Sequence, residues 1–88
     1  MIKTFEDLEF KPHGWAPNSL HAVLNFDNDY GVSVLFGDTF YSNTSLNTYE
    51  VGILYKNNLC YTTPLTDDVI GYCTKNEVTE IMRKIQEL

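Results

Sequence analysis

The chain has 88 residues, 43% hydrophobic and 14% aromatic, with twelve acidic residues against six basic ones for a net charge of −6. A chain of this length builds one unit around a thin core rather than several domains, and it is too apolar and too weakly charged to be intrinsically disordered. No Lys or Arg occurs between Lys11 and Lys56, which argues against the clustered cations that direct nucleic-acid binding or docking on an anionic membrane requires.

The first segment places Phe5, Leu8 and Phe10 among Glu6, Asp7 and Glu9, a mixed pattern that predicts a turn followed by a short strand. Lys11 to Asn18 then holds Pro12, Gly14 and Pro17, and such punctuation marks a loop. Trp15 lies within it, where an indole either plugs one end of the core or serves as an exposed binding anchor.

From Ser19 the period becomes two. Leu20, Ala22, Leu24 and Phe26 alternate with His21, Val23 and Asn25, and Tyr30, Val32, Val34 and Phe36 alternate with Gly31, Ser33 and Leu35. With Asp27-Asn28-Asp29 as turn residues between them, these runs predict a β-hairpin. A second hairpin follows, with Tyr49, Val51, Ile53 and Tyr55 on one face, Lys56-Asn57-Asn58 as its turn, and Leu59, Tyr61 and Thr63 alternating with Cys60 and Thr62. Four antiparallel strands in meander order are the simplest sheet.

The twelve residues from Gly37 to Thr48 that join the hairpins are mostly polar, a long connection for so small a domain. Asp38, Phe40 and Tyr41 at its start form a candidate contact surface; the competing reading is that Phe40 tucks under the sheet. After Pro64, Thr66-Asp67-Asp68 reads as the cap and first turn of a short helical stretch through Val69, Ile70 and Tyr72. The last helix is better marked. Thr74-Lys75-Asn76-Glu77 is a capping box, and Val78, Ile81, Met82, Ile85 and Leu88 recur at helical spacing to give one apolar stripe. A helix of that kind laid on a four-stranded antiparallel sheet predicts an α+β two-layer sandwich spanning residues 1–88. The second sheet face would carry His21, Val23, Asn25, Ser33, Leu35, Gly52, Leu54, Cys60 and Thr62, a mildly apolar set open to solvent, to the Trp15 loop or to a second copy of the chain.

Chemistry is thinly represented. Cys60 and Cys73 are separated by twelve residues and lack the companions of a metal site, so both read as reduced thiols packed as small hydrophobes. His13 falls in a Pro/Gly loop and His21 on a strand. Asp27 and Asp29 suit a hairpin turn rather than a calcium loop, and Asp67 and Asp68 suit helix capping. No phosphate-binding glycine loop, cofactor motif, metal site or catalytic constellation is expected, and no enzyme activity. The charged start Met-Ile-Lys-Thr-Phe-Glu-Asp and the lack of a long apolar run predict a protein that stays in the cytosol.

Three segments, Lys3-Thr4-Phe5-Glu6-Asp7-Leu8-Glu9-Phe10-Lys11-Pro12-His13, Tyr30-Gly31-Val32-Ser33-Val34 and Thr66-Asp67-Asp68-Val69-Ile70-Gly71-Tyr72, together with the helical end Glu77 to Leu88, resemble a group of small proteins encoded by tailed bacteriophages and prophages. The resemblance spans nearly the whole chain and is weakest from Gly37 to Thr48. It implies action in the cytoplasm of a bacterial host and supplies no active-site residues. By analogy with small non-structural phage proteins, the expected role is to bind and modulate or inhibit a host protein, a defence system among the candidates. Trp15, Asp38, Phe40 and Tyr41 would present the contact surface. A self-associating accessory protein and a small-molecule binding module are the alternatives.

Overall fold

The computed structural model describes residues 2–12, 19–37, 48–60 and 69–88. A 3-10 turn, Phe5–Asp7, is followed by strands β1 (Lys11–Pro12), β2 (Leu20–Asn25), β3 (Tyr30–Phe36), β4 (Tyr49–Tyr55), β5 (Asn58–Leu59) and β6 (Ile70–Cys73), and by helix α1 (Lys75–Gln86). The strands form one antiparallel sheet in the order β1-β2-β3-β4-β5, with β6 also pairing β4. The architecture is the expected α+β sandwich, with six strands among the described residues in place of four.

The central hairpin forms as its alternation requires. Residues Leu20 to Asn25 pair with Phe36 to Gly31 in unbroken register, so the buried set Ala22, Val32 and Val34 falls on one face. The three-residue loop between them closes with a Phe26 N–H to Tyr30 carbonyl bond of 2.8 Å and with Asp29 at φ +71°, the left-handed position that a short acidic side chain tolerates. Asn28 at its tip has three partners, one of them the Leu88 carbonyl 3.5 Å from its Nδ2. Its Oδ1 accepts from the Tyr30 N–H at 3.1 Å, and its Nδ2 donates to the Ile85 carbonyl at 2.9 Å. One turn residue thus satisfies a carbonyl of the last helical turn, which has no partner inside the helix.

Helix α1 begins at its predicted box: Thr74 Oγ1 accepts from the Glu77 N–H at 3.2 Å, and a Glu77 carboxylate oxygen accepts from the Thr74 N–H at 3.0 Å. Val78, Met82 and Ile85 are fully enclosed against Val32, Val34, Val51 and Ile53. Ile81 is only half-buried at the flank of this stripe and Leu88 is exposed, so the covered strip is narrower than its periodicity implied. The N-terminal segment is pinned across the helix by a reciprocal pair, Lys3 N–H to Gln86 Oε1 at 2.8 Å and Gln86 Nε2 to the Lys3 carbonyl at 2.9 Å, and by the Phe5 N–H donating to Thr79 Oγ1 at 3.1 Å. Phe5, Phe10 and Phe36 close on Tyr49, with ring centroids 4.8 to 5.7 Å apart.

Three local expectations are corrected. Lys11 and Pro12 are not loop residues but pair as β1 with His21 and Leu20; Pro suits an edge strand because a missing N–H there costs no ladder bond. Val69 precedes a strand, and Ile70 and Tyr72, expected in a short helix, lie in that strand, β6. Its pairing with Tyr49 and Val51 shifts register between those residues, and Tyr72 takes φ +55° at the irregularity. The vacant edge of β4 and the burial of Cys73 beneath the helix outweigh the local capping pattern. Finally, Leu59 faces away from the helix. Lys56 and Asn57 take φ +50° and +71°, a two-residue primed turn that fixes Tyr55 opposite Asn58 and Leu54 opposite Leu59. A shift of one residue in register moves a whole strand to the other face, so Leu59, not Cys60, joins the face of Leu54. Tyr61 and Thr63 lie outside the described residues.

Candidate functional site

The sheet face away from the helix bears the candidate surface. Strand register sets it out in rows. His21, Leu35 and Glu50 lie side by side across β2, β3 and β4; Val23, Ser33 and Gly52 form the next row; Asn25, Gly31 and Leu54 form the third, which Leu59 extends onto β5. Between these rows is a concavity of about 270 Å³, walled further by Asn57 and Val69.

Its floor is low because Gly52 carries no side chain. A Cβ there would stand 3.1 Å from Leu59 Cδ2 and 3.6 Å from Val69 Cγ1, so a larger residue would fill the space from below. Leu54 is buried, whereas Val23 and Leu59 keep 48% and 52% of their surface exposed. Apolar side chains left that open flank the depression on both sides. The polar atoms gather around them. His21 Nε2 and Ser33 Oγ are 3.0 Å apart, a diagonal pair across two strands, and Asn57 Oδ1 accepts from Asn25 Nδ2 at 2.8 Å. Glu50 is the one charged residue of the lining among the described residues. Lys11 stands at the far end of the Glu50 row, paired with His21, three strands away and therefore roughly 14 Å off by strand spacing.

A hydroxyl hydrogen-bonded to an imidazole is the first requirement of a nucleophile and base. The second, N–H donors aimed at a developing oxyanion, is not met by the strand itself: Ser33 is paired with Val23 on one side and Gly52 on the other, and the N–H groups along β3 serve those ladders. The pair therefore fits His21 as a satisfied, half-buried strand residue.

Among the described residues the remaining chemistry-bearing groups do not converge. Cys73 is 3% exposed, and burial, with the Glu77 carboxylate adding to it, pushes its thiol up to about 11. Such a thiol is inert at neutral pH. Neither Cys60 nor Cys73 is in a disulfide. Among the described residues no group of three His, Cys, Asp or Glu side chains is placed to hold a metal ion, and no helix is long and apolar enough to cross a membrane. Arg83 bridges Glu80 and Glu87 at 2.9 Å each on the exposed helix surface, where such pairs add little; its guanidinium holds the Glu80 carboxyl below the usual range.

Of the contact residues expected from the sequence, Trp15, Asp38, Phe40 and Tyr41 lie outside the described residues. The concavity was legible only in part. Alternation assigned most of its members to the second face, but Glu50, Asn57, Leu59 and Val69 were not placed there. Glu50 could have been found by carrying the Gly52, Leu54 alternation two residues back within the Tyr49–Tyr55 run, whereas Leu59 required the turn geometry. An α+β sandwich with one sheet face covered by a helix and the other bearing an apolar depression is the class this structure defines. Comparison with known protein families, with curated proteins and with solved structures finds no match to this chain.

Proposed function

We propose that this domain is a binding module rather than an enzyme, and that it engages another protein through the open face of its sheet. The observation that carries the reading is the exposure of Val23 and Leu59 beside a depression floored by Gly52. Apolar side chains left open around a recess gain most when a partner inserts an anchoring group and excludes water. At about 270 Å³ the recess is smaller than the roughly 300 Å³ at which small-molecule pockets begin, so it suits one side chain of a protein partner. The sequence resemblance to phage and prophage proteins supports a host bacterial protein as that partner and modulation or inhibition as the outcome. Trp15, Asp38, Phe40 and Tyr41, which lie outside the described residues, would add to the contact.

The test is affinity capture from bacterial lysate with the tagged chain, compared with Val23→Asp, Leu59→Asp and the control Ile2→Asp, an exposed apolar-to-acid change beside Gln86. All three variants are expected to keep the wild-type melting temperature within a few degrees. A captured protein lost in the first two and retained in the third supports the open face. Equal recovery in all three overturns it. Self-association through the same face is the second reading, favoured by the same exposed residues. Light scattering that shows a dimer in the wild type and a monomer in Val23→Asp would select it.

A further inference from the structure

Strand β2 is covered on its outer side for only part of its length, and we infer that an extended segment of the partner protein pairs antiparallel with it along residues 23–25 and joins the sheet as an added strand. This rests on the binding role proposed above and deepens it, because a strand added there borders the recess at Val23. The register of the central hairpin supplies the reason. The Phe26 N–H bonds the Tyr30 carbonyl, and in an antiparallel pair the bonded positions recur at every second residue. Leu24 and Ala22 therefore turn their main-chain groups toward β3, while Asn25, Val23 and His21 turn theirs away from it. On that outer side β1 is the only strand among the described residues, and it pairs with Leu20 and His21 alone. The N–H and C=O groups of Val23 and Asn25 thus face outward beyond its end.

An edge of this kind is normally guarded by a charge, a proline or a covering segment. Here the guards stop short. Lys11 and Pro12 stand beside His21 and Leu20, whereas Val23, Leu24 and Asn25 carry no charge and Val23 is 48% exposed. Where the chain before β1 parts from β2, a notch of about 370 Å³ opens between Glu9, Lys11, Pro12, His21 and Val23. It gives an incoming segment room beside Val23. Glu9 and Lys11 contribute one charge of each sign, so main-chain bonds hold the segment, and the side chain that falls beside Val23 on the open face is apolar. A second copy is the weaker occupant. A two-fold pairing that uses both Val23 and Asn25 has its axis at Leu24, which sets Asp27 of one copy level with His21 of the other, the place that Lys11 already takes in β1. Each copy also brings a charge of −6.

The probe is a blocked pentapeptide, acetyl-Thr-Val-Thr-Val-Thr-amide, titrated into the intact, uniformly 15N-labelled protein and followed by amide shifts; a second peptide carries an N-methyl group on both valines. With the valines opposite Val23 and Asn25, their N–H groups point at the edge, and methylation removes these donors while keeping the side chains. The parent peptide is expected to bind with a dissociation constant in the millimolar range. It should move the amide protons of Val23 and Asn25 downfield more than that of Leu24, which is already bonded to β3. The methylated peptide should bind at least about fivefold more weakly. In the free protein the Val23 and Asn25 amides should exchange with solvent at least about tenfold faster than the Leu24 amide. The absence of a saturable shift, equal binding of the two peptides, or Val23 and Asn25 amides as protected as Leu24 in the free protein would each overturn the inference. All of these are read on the wild-type chain, so none depends on a variant's folding. Failure here with capture still lost in Val23→Asp would leave the open face as a binding surface approached through its side chains; failure of both would remove the face itself.

Discussion

Cys73 illustrates how a single side chain reports on the packing around it. Its thiol donates weakly to the Ile70 and Gly71 carbonyls at 3.7 and 3.8 Å and is raised from an ordinary 9.0 to about 11 by burial and by Glu77. The folded state thus favours the neutral thiol. Its contribution to stability is complete below pH 9 and is lost as pH rises from 9 toward 11, because the unfolded chain releases its proton first. Denaturant unfolding across that range should show a steeper fall for the wild type than for Cys73→Ala. Tyr49, also raised by burial, adds the same slope to both. In the native state at pH 8, Cys73 should resist a thiol-specific reagent and react once denaturant is added. Asn28 offers a second residue-level test. Asn28→Asp removes the donor to the Ile85 carbonyl and sets a negative charge against the negative end of α1, so a loss of about 1–2 kcal/mol is expected in chemical denaturation. A loss no greater than that of an exposed substitution such as Asp27→Asn would contradict the capping role.

At the scale of elements, helix α1 was the best anticipated part of the chain. Its capping box and its 3.6-residue stripe are local properties, and both are realised. Which stripe positions matter is a tertiary property. Met82→Asp places a charge at a fully enclosed site and should abolish the cooperative unfolding transition, since several kcal/mol is most of what a domain this small possesses. Ile81→Asp, at a half-buried flank beside Asn76, Glu77 and Lys84, should cost less, about 1–2 kcal/mol, and leave a folded protein. Thermal melts of the two variants distinguish them directly; similar losses would mean that Ile81 is packed as deeply as Met82. The Lys56-Asn57 turn carries the complementary lesson. It contains no glycine, yet both residues adopt left-handed backbone, and that primed geometry decides which face Leu59 joins.

For the whole molecule, the sequence by itself determined the fold class, the central hairpin and the covering helix. Each depends on a repeat of two or 3.6 residues, or on a cap within four residues, and such signals survive without knowledge of distant contacts. It also determined that β2, β3 and β4 carry no Lys or Arg, hence the sign of the charge on the open face. Only the tertiary structure decided that Ile70–Cys73 is a strand, because the edge of β4 it occupies comes from residues about twenty positions earlier. The same holds for the Lys3–Gln86 pair that ties the two ends of the described chain together. The recess followed that division. Its residues come from β2, β3, β4, β5 and the segment before β6, and its depth arises from a glycine set between Ser33, Leu59 and Val69. Local pattern assigns a residue to a face, but the neighbours it meets there are fixed by strand register, turn geometry and the burial that joins distant segments.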